Sequence, residues 1–437
     1  MSARAIRGPL SSCALCLGIL AGCGDQPTTS GRPTPASGGN GGGAGETTSD
    51  AGAHVGGAQT TTSGSGNTGV DVGGVDGNGT GGASGGGLPA TSGSAGTGAS
   101  GMGGTVILDC PAVSSEPAPW PGKNEVKTLD TKDQFKSDLS GLTYEPGATA
   151  ATGVLWAVNN LSGTLFRLVQ SGNGFVPDTA NGWSAGKALH YPGGSGAPDA
   201  EGVTFGANVA DGVYVCAEHD GTDSSTSRMS VLRYDVSGAG AVLTASHEWN
   251  VTSLLPKVGA NAGLEAITWV PDSFLTARGF FDGAKAHAYA PAEYASHGSG
   301  LFFVGVEATG KLHVLALNHA DSTAALVATI AAPNPGVMGL EFDRDAGNLW
   351  FSCDEGCDNA SGVLDIDTKV GSATLGRFVV RRQFQRPSSL PNSNNEGIAT
   401  APGSECNGGF KRFFWTDDAD EGDFSLRTDL LPCARCL

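Results

Sequence analysis

A short segment recurs five times along this chain, and the repetition constrains the fold more than any other feature. Its clearest copy is Asp199-Ala200-Glu201-Gly202-Val203-Thr204-Phe205, and the others are centred on Gly141, Ala266, Gly339 and Gly397. Apolar residues stand one and three places after the central residue in the first four copies, as expected for a strand with one buried face. A self-similar unit that opens on a short strand indicates an array of small sheets.

A second motif follows in every unit, in which an aromatic residue precedes an acid or asparagine by four places. The five pairs are Trp156/Asn160, Tyr214/Glu218, Phe303/Glu307, Trp350/Asp354 and Phe414/Asp418. Four antiparallel strands per unit, closed by radial repetition, describe a β-propeller blade. The sequence therefore predicts an all-β protein with a β-propeller of five blades, or six if one degenerate unit is missed. A single sandwich would not repeat two motifs five times.

The last unit contains only three strands after Asn395. We therefore expect the segment Glu125–Leu129 to supply the fourth strand and to join the two ends of a domain that covers residues 106–437. The third unit is longer because of an insertion at 272–300 that is rich in aromatic residues. A loop that packs its own aromatics is favoured there over a partner-binding flap.

Residues 1–22 have the pattern of a signal peptide. Arg4 and Arg7 precede an apolar stretch, Pro9–Ile19, that is too short to span a bilayer. The following Leu20-Ala21-Gly22-Cys23 resembles the lipobox of bacterial lipoproteins, which predicts lipidation of Cys23. The alternative is an ordinary cleaved signal with an incidental cysteine. We expect an extracytoplasmic lipoprotein of the bacterial cell envelope, whose only membrane contact is the lipid anchor.

Residues 23–105 are dominated by Gly, Ser, Thr and Ala. Such a segment buries too little apolar surface to offset the entropy of ordering, so a disordered, flexible linker is predicted. The formal net charge of the whole chain is −18. This acidity argues against nucleic acid as a partner and favours a soluble domain, most simply a monomer, with capacity for cations.

Seven cysteines follow Cys23, and export favours disulfides. Cys353 and Cys357 are spaced to staple a tight loop, and Cys110 with Cys433 or Cys436 would tie the ends together. Cys406 is a further candidate for a disulfide, whereas Cys216 lies in the middle of a strand and is expected to be a buried free thiol. The spacing of Cys433 and Cys436 also occurs in redox and zinc sites, but there is no second pair or histidine set, so structural bridging is favoured.

The segments 139–144, Leu-Ser-Gly-Leu-Thr-Tyr, and 199–202, Asp-Ala-Glu-Gly, resemble motifs of two related propeller families. These are the SdiA-regulated family and the phytase-like family, also described as having esterase-like activity of phytase. The resemblance covers about residues 138–418. It implies a secreted or periplasmic propeller with calcium in its mouth and phosphoesterase chemistry. The copies Glu265-Ala266 and Met338-Gly339 depart from Glu-Gly, and no catalytic set carries over.

In an up-and-down blade, the start of the first strand and the end of the second strand share a face. This topology predicts one acidic mouth formed by Glu201, Glu265, Glu396, Asn160, Glu218, Glu307, Asp354 and Asp418. Converging carboxylates repel one another unless a cation separates them. Ligands that are all oxygen suit Ca²⁺, whereas zinc would need histidine or cysteine, and His219 is the only histidine nearby in the motifs. The alternative is that each acid caps a turn or accepts backbone N–H groups.

Two functional hypotheses follow. One is a calcium-dependent hydrolase of a phosphoester or another ester, and the alternative is a non-catalytic surface module that binds a glycan or a protein partner. His-Glu-x-x-His and Gly-Lys-[Ser/Thr] are absent, so zincins and P-loop enzymes are unsupported. Gly-x-Ser-x-Gly occurs at 82–86 and at 182–186, but an all-β chain lacks the helix that follows the serine in a nucleophile elbow. Lys and Arg are scarce in the two motifs, which counts against a phosphate substrate.

Overall fold

The computed structural model describes residues 116–434, which form a five-bladed β-propeller. The prediction of five blades is confirmed, and the alternative of six is wrong. The proposed signal peptide, the lipidation site Cys23 and the linker at 23–105 lie outside the described residues. Within 116–434, no helix has the length and apolar character needed to cross a membrane.

The chain enters at β1 (Lys127–Thr128) and then forms the first two blades. The strands of blade 1 are β2 (Leu139–Glu145), β3 (Val154–Asn159), β4 (Thr164–Ser171), β5 (Gly174–Pro177) and β6 (Lys187–His190). The next segment forms blade 2 and contains the strands β7 (Pro198–Phe205), β8 (Val213–Asp220), β9 (Asp223–Tyr234), β10 (Val242–Thr244) and β11 (His247–Asn250). Strand β10 leaves its own blade and pairs in parallel with β6 of blade 1.

The remaining three blades follow in chain order. Blade 3 contains β12 (Leu264–Pro271), α1 (Asp272–Ala277), the hairpin β13 (Phe281–Asp282) and β14 (His287–Ala288), β15 (Gly300–Val306), β16 (Lys311–Leu317) and β17 (Ala324–Ala331). Blade 4 contains β18 (Gly339–Asp343), β19 (Asn348–Ser352), β20 (Ser361–Ile366) and β21 (Phe378–Phe384). Blade 5 contains β22 (Ile398–Thr400), β23 (Phe410–Thr416) and β24 (Leu426–Pro432). Short 3-10 turns lie at Ala150–Thr152, Val209–Asp211, Pro291–Glu293, Glu307–Thr309, Glu355–Cys357 and Gly403–Glu405.

The two ends of the described chain meet in blade 5. Strand β1 pairs with β24 in antiparallel fashion, with Lys127 opposite Thr428, so the predicted closure is confirmed. Just upstream, the indole Nε1 of Trp120 donates to Asp429 Oδ2 at 2.8 Å. The ring of Trp120 also contacts Trp350 of blade 4, with the centroids 6.2 Å apart. The entering segment therefore ties blade 4 to blade 5 as well as completing the sheet.

The hydrophobic core is divided into wedges between neighbouring blades. The residues one and three places after the central glycine of each inner strand fill these wedges, as the alternation of the motif predicts. For example, Val203 packs with Trp156 between blades 1 and 2, and Phe342 packs with Phe303 between blades 3 and 4. These four side chains are each 3% exposed or less, so the apolar half of the motif holds adjacent blades together.

Glycine at the centre of the motif is required by the close approach of the inner strands. A Cβ on Gly141 would lie 2.5 Å from the carbonyl oxygen of Glu201, and one on Gly202 would lie 2.7 Å from the Sγ of Cys216. A Cβ on Gly397 would lie 2.4 Å from the carbonyl oxygen of Ser140. The crowding expected from the sequence is confirmed.

The insertion in blade 3 folds onto the core. Its aromatic residues Phe280, Tyr289 and Tyr294 are buried and belong to the wedge between blades 3 and 4. The hydroxyl of Tyr289 donates to Asp272 Oδ1 at 2.8 Å, and that of Tyr294 donates to Asp282. The expectation of a loop that packs its own aromatics is therefore confirmed.

Two disulfides lie within the described residues, Cys353–Cys357 and Cys406–Cys433. The first confirms the predicted staple. The second shows that a Cys110–Cys433 bridge is wrong, because the antiparallel pairing of β23 with β24 brings Cys433 to a Cα distance of 6.1 Å from Cys406. Cys110 and Cys436 lie outside the described residues. Cys216 is a buried free thiol, as expected.

Candidate functional site

Two of the predicted mouth acids sit on β-bulges at the start of inner strands. In blade 2, Ala200 and Gly202 face consecutive residues of β8, which leaves Glu201 as the extra residue. Glu265 holds the same position in blade 3. A bulge breaks the alternation of the strand and redirects the extra side chain. This local geometry sends two glutamates towards the centre of the ring while the next residue stays packed against a neighbouring strand.

Three glutamates meet at the centre of this face. Glu201, Glu265 and Glu396, from blades 2, 3 and 5, each place one carboxylate oxygen within 4.8 Å of the others. Their side chains are deeply buried, with exposed fractions of 4%, 6% and 6%. We call these three residues the glutamate floor.

A second group of carboxylates lies beside the floor and shares one residue with it. Glu218, Glu265 and Glu307 also place oxygens within 4.8 Å of one another. Glu218 is held by the backbone N–H of Gly263, which donates to its Oε1 at 2.8 Å. The motifs of blades 2 and 3 therefore contribute four acids to one continuous cluster.

Polar side chains form the rim above the floor. Asn160 of blade 1 donates from Nδ2 to Glu201 Oε2 at 3.3 Å. Asn394 donates from Nδ2 to Glu396 Oε1 at 2.9 Å and to Asp418 Oδ2 at 3.0 Å. Asn160 and Asp418 are both half-buried and are thus more exposed than the floor glutamates.

Two carboxylate oxygens of this site lack a hydrogen-bond donor among residues 116–434. They are Oε2 of Glu396 and Oδ1 of Asp418, and both atoms are inaccessible to solvent. A buried acceptor that is left without a donor costs about 1–3 kcal/mol. Unsatisfied oxygens on adjacent acids indicate a place for a cation or a proton.

Burial raises the pKa of Glu201, Glu265 and Glu396 well above the ordinary value. Neighbouring carboxylates raise each pKa further, with the charge of Glu396 acting on Glu201 and that of Asp418 on Glu396. Burial likewise raises the pKa of Asp199 and Asp418 to about 6. Both causes favour the protonated form of these acids unless a positive charge compensates them.

Some acids on this face serve the architecture. Asp354 Oδ1 accepts the backbone N–H of Gly356 at 3.0 Å and caps the turn spanned by the Cys353–Cys357 disulfide. It lies outside both glutamate groups, although its charge contributes to the raised pKa of Glu396. Asp417 is fully buried and accepts from Arg427 Nη1 at 2.6 Å. At these positions the capping and pairing alternative describes the residue.

Sequence reasoning did not select Asp199 and Asn394 as site residues. Asp199 Oδ2 lies 2.9 Å from His219 Nδ1, and Glu218, the neighbour of His219, belongs to the acidic cluster. Asp199 and Asn394 each stand two places before a floor glutamate. Their shared position in the repeat, two residues before a glutamate, is the sequence signal that could have identified them.

The axis of the propeller is closed beneath the floor. The space between the inner strands there measures only about 10 Å³ and is lined by backbone and side chains around Gly141, Gly202, Ala266, Gly339 and Gly397. This is no more than the room needed for one water molecule. The mouth is therefore a dead end and not one entrance of a channel.

No model of a known protein family matches the sequence, and no curated protein matches it. The resemblance to the SdiA-regulated and phytase-like families thus stays a prediction, while the β-propeller fold itself is shown.

Solved structures with similar backbones include two proteins that are named as sugar or glucose dehydrogenases. The PQQ-bound aldose sugar dehydrogenase of Streptomyces coelicolor is 17% identical, with 67% of this chain and 81% of that chain covered and a TM-score of 0.33. A putative oxidoreductase (glucose dehydrogenase) of Thermus thermophilus is 12% identical, with coverage of 70% and 99% and a TM-score of 0.36. A protein from Lactobacillus plantarum is 10% identical, with coverage of 67% and 66% and a TM-score of 0.28. At these values the likeness carries no information about activity.

Proposed function

We propose that the mouth of this propeller binds Ca²⁺. The observation that carries the proposal is the buried glutamate floor, whose member Glu396 is only 6% exposed and retains an oxygen without a donor. Within residues 116–434, no Lys or Arg forms an ion pair with Glu201, Glu265 or Glu396. Because protein cations do not neutralise these acids, a bound metal ion is the simplest compensation.

The donor set favours calcium over other common ions. Glu201, Glu265 and Glu396 would hold the ion, with Asp418 of the rim as a further oxygen donor. Asn160 turns its Nδ2 towards Glu201, and its Oδ1 accepts the backbone N–H of Leu161, so it would position Glu201 instead of binding the ion. Ca²⁺ accepts six to eight oxygen ligands in flexible geometry, whereas Mg²⁺ demands a tight octahedron. Zinc prefers nitrogen and sulfur ligands, and the group Asp199, Glu218 and His219 beside the floor offers it a single nitrogen.

The same face has residues suited to ester hydrolysis. A bound Ca²⁺ supplies Lewis-acid polarisation of an ester carbonyl. His219 Nδ1 is 2.9 Å from Asp199 Oδ2 without a hydrogen bond in this geometry, and a rotation of the imidazole would let Asp199 orient it to accept a proton. Since no Lys or Arg of residues 116–434 pairs with the floor glutamates, we favour an uncharged carboxylic ester or lactone over a phosphoester.

A panel of substrates tests the hydrolase. The protein is assayed on carboxylic esters, lactones and phosphoesters, with Ca²⁺ and with chelator. We expect calcium-dependent turnover of an uncharged ester, lost in His219→Gln while calcium binding is retained, and unchanged in His287→Gln, an exposed histidine of the blade 3 insertion. Calcium binding without turnover of any substrate would instead support a non-catalytic module for a glycan or protein partner.

We also propose that the head is displayed from the bacterial cell envelope by a lipid on Cys23. The supporting feature is the signal pattern that ends in Leu20-Ala21-Gly22-Cys23. Cys23→Ala should move the protein from the membrane fraction to the soluble extracytoplasmic fraction. Persistence in the membrane fraction would contradict the lipid anchor.

A further inference from the structure

A second cavity lies at the opposite end of the inner strands from the glutamate floor. Each inner strand of blades 1 to 4 carries a polar residue two places after its central residue, on the side that faces the axis. These residues are Thr143, Thr204, Thr268 and Glu341. All four are buried, the most exposed being Glu341 at 8%. The repeat thus builds a second polar ring, which the motifs alone did not bring to attention.

The cavity above this ring measures about 390 Å³. Its walls include the aromatic side chains of Tyr144, Phe205 and Phe342. A concave site of this size, with apolar walls and a few convergent polar groups, has the make-up of a small-molecule pocket. The closed axis separates it from the mouth, so it is a distinct site.

The threonine hydroxyls in the cavity are available to a ligand. Those of Thr143 and Thr204 make no side-chain hydrogen bond within the described chain, and neither is a fully buried orphan. Thr268 Oγ1 accepts the backbone N–H of Phe342 at 3.0 Å, which leaves its own proton to donate. The ring therefore presents hydroxyl donors and acceptors side by side.

Glu341 adds a buried acid whose protonated form is favoured near neutral pH. Burial raises the pKa of its carboxyl to about 8, although Arg344 and the backbone N–H of Thr400 oppose the shift. Asp343 and Lys411 are the other charged groups that act on it, and they pair with each other. A protonated carboxyl both donates and accepts a hydrogen bond.

The charged groups at the rim disfavour an ionic ligand. Arg344 donates to the carbonyl oxygens of Phe205 and Gly206 at 3.0 and 2.8 Å, so its charge is fixed beside the cavity and repels a cation. Asp343, Asp345 and Glu145 also line the cavity and repel an anion. A neutral molecule escapes both penalties.

We propose that this cavity is a binding site for a neutral saccharide of one or two sugar units. Its hydroxyl groups would pair with the threonines and with Glu341, and its C–H faces would pack on the aromatic walls. The proposal concerns a site separate from the calcium mouth and does not depend on the proposed function.

The test is a titration of the protein with glucose, galactose, N-acetylglucosamine, maltose and cellobiose, followed by ligand-observed NMR. Glucosamine and gluconate serve as charged analogues. We expect saturable binding of at least one neutral sugar. Thr204→Val and Glu341→Leu should each weaken it by about tenfold, the effect of losing one buried hydrogen bond. Thr179→Val, at an exposed threonine outside the cavity, is the matched control and should bind as the parent does.

Melting curves of each variant establish that it is folded, and Thr143→Val replaces any variant that is not. Binding that is weakened by the cavity variants and unaffected by Thr179→Val supports the site. Three results overturn it: no saturable binding of any neutral sugar, binding only of a charged analogue, or neutral-sugar binding that survives all cavity variants.

Discussion

Lys411 and Asp343 form a buried ion pair beside the second cavity. Both side chains are 4% exposed, and the ammonium of Lys411 contacts Asp343 Oδ2. Asp343 also accepts the backbone N–H groups of Asp345 and Ala346 through Oδ1, at 3.3 and 3.1 Å. Removing one member of a buried pair leaves the other charge uncompensated, which costs more than the pair itself contributes.

Lys411→Met should therefore lower the free energy of unfolding by about 3–5 kcal/mol. The double variant Lys411→Met with Asp343→Asn should recover a large part of this loss, because no isolated charge remains buried. Urea denaturation measures both. Lys132→Met, which breaks an exposed pair with Asp423, is the control and should change little. Equal losses in the single and double variants would contradict the account.

The raised pKa of Glu341 predicts that the stability of the protein depends on pH. Its pKa is about 8 in the folded protein, against an ordinary value of 4.5. The folded state therefore binds the proton of Glu341 more tightly than the unfolded state does. The resulting contribution to the free energy of unfolding is fully present below about pH 4.5 and is lost as the pH rises through 8. The wild type should lose a few kcal/mol relative to Glu341→Gln between these values, at about 1.4 kcal/mol per pKa unit. The free energy of unfolding of both proteins is measured by urea denaturation as a function of pH. The same pH dependence in the two proteins would contradict this role of Glu341.

At this scale the sequence predicted which acids belong to the mouth better than it predicted their roles. The convergence of Glu201, Glu265 and Glu396 follows from the repeat and the topology of a blade. The capping role of Asp354 and the contact between Asp199 and His219 depend on turn geometry and on a β-bulge. Capping was an alternative for every acid, but no signal in the sequence singled out Asp354. The position of Asp199 two places before Glu201 does not indicate that His219 lies beside it.

The inner strands are the elements that set the spacing of the propeller. Gly202 lies where β7 approaches both β8 and β12, and a Cβ there would be 2.9 Å from the backbone nitrogen of Ile267. The backbone of Ile267 belongs to the next blade and cannot move aside without shifting that blade. The motif glycine is therefore a packing requirement as well as a local one.

Gly202→Ala should lower the free energy of unfolding by about 1–3 kcal/mol through overpacking. Gly259→Ala is the matched control, since a Cβ there meets nothing within 4 Å. Thermal or chemical denaturation distinguishes the two. Equal stability of both variants would show that the ring tolerates expansion at the central position.

Local patterns predicted most strands of the described blades. Polar and apolar residues alternate over 311–314, as in a strand, and β16 spans Lys311–Leu317. Residues 241–251 have the length and position of a single fourth strand, but they divide into β10 and β11, and β10 pairs with β6 of the preceding blade. Its partner is distant in sequence, and pairing of that kind depends on tertiary context that alternation cannot reveal.

The molecule as a whole is a ring closed by its own N-terminal segment. Five copies of one motif were enough to predict the architecture, and an incomplete last unit was enough to predict the closure. The contacts of Trp120 with blades 4 and 5 were not predicted, because this residue lies outside the repeat. They give the closure a hydrophobic component in addition to the short pairing of β1 with β24.

Trp120→Ala should destabilise the ring by about 3–5 kcal/mol, since the side chain is 9% exposed and packs among four aromatic rings. Val370→Ala, at a side chain that is 90% exposed, is the control and should be neutral. Calorimetric melting measures the difference. A neutral Trp120→Ala would assign closure to the β1–β24 pairing alone.

The central claim is that the glutamate floor binds Ca²⁺, and calorimetric melting of the protein in Ca²⁺ and in chelator tests it most directly. An ion that binds only the folded state stabilises by about 2.7 kcal/mol at 100 times its dissociation constant, which should raise the melting temperature by a few degrees. Mg²⁺ should substitute poorly. Glu201→Gln with Glu396→Gln removes two charges at nearly constant shape and should abolish the shift, and its stability in chelator should be equal or higher because repulsion is relieved.

The matched control is Glu125→Gln with Asp321→Asn, which removes two charges from exposed positions outside the cluster. If the floor binds Ca²⁺, the melting temperature should be higher in Ca²⁺ than in chelator for the parent and for this control. It should be the same in both conditions for the Glu201/Glu396 variant. No shift in the parent, or a full shift in the Glu201/Glu396 variant, would contradict calcium binding by the floor.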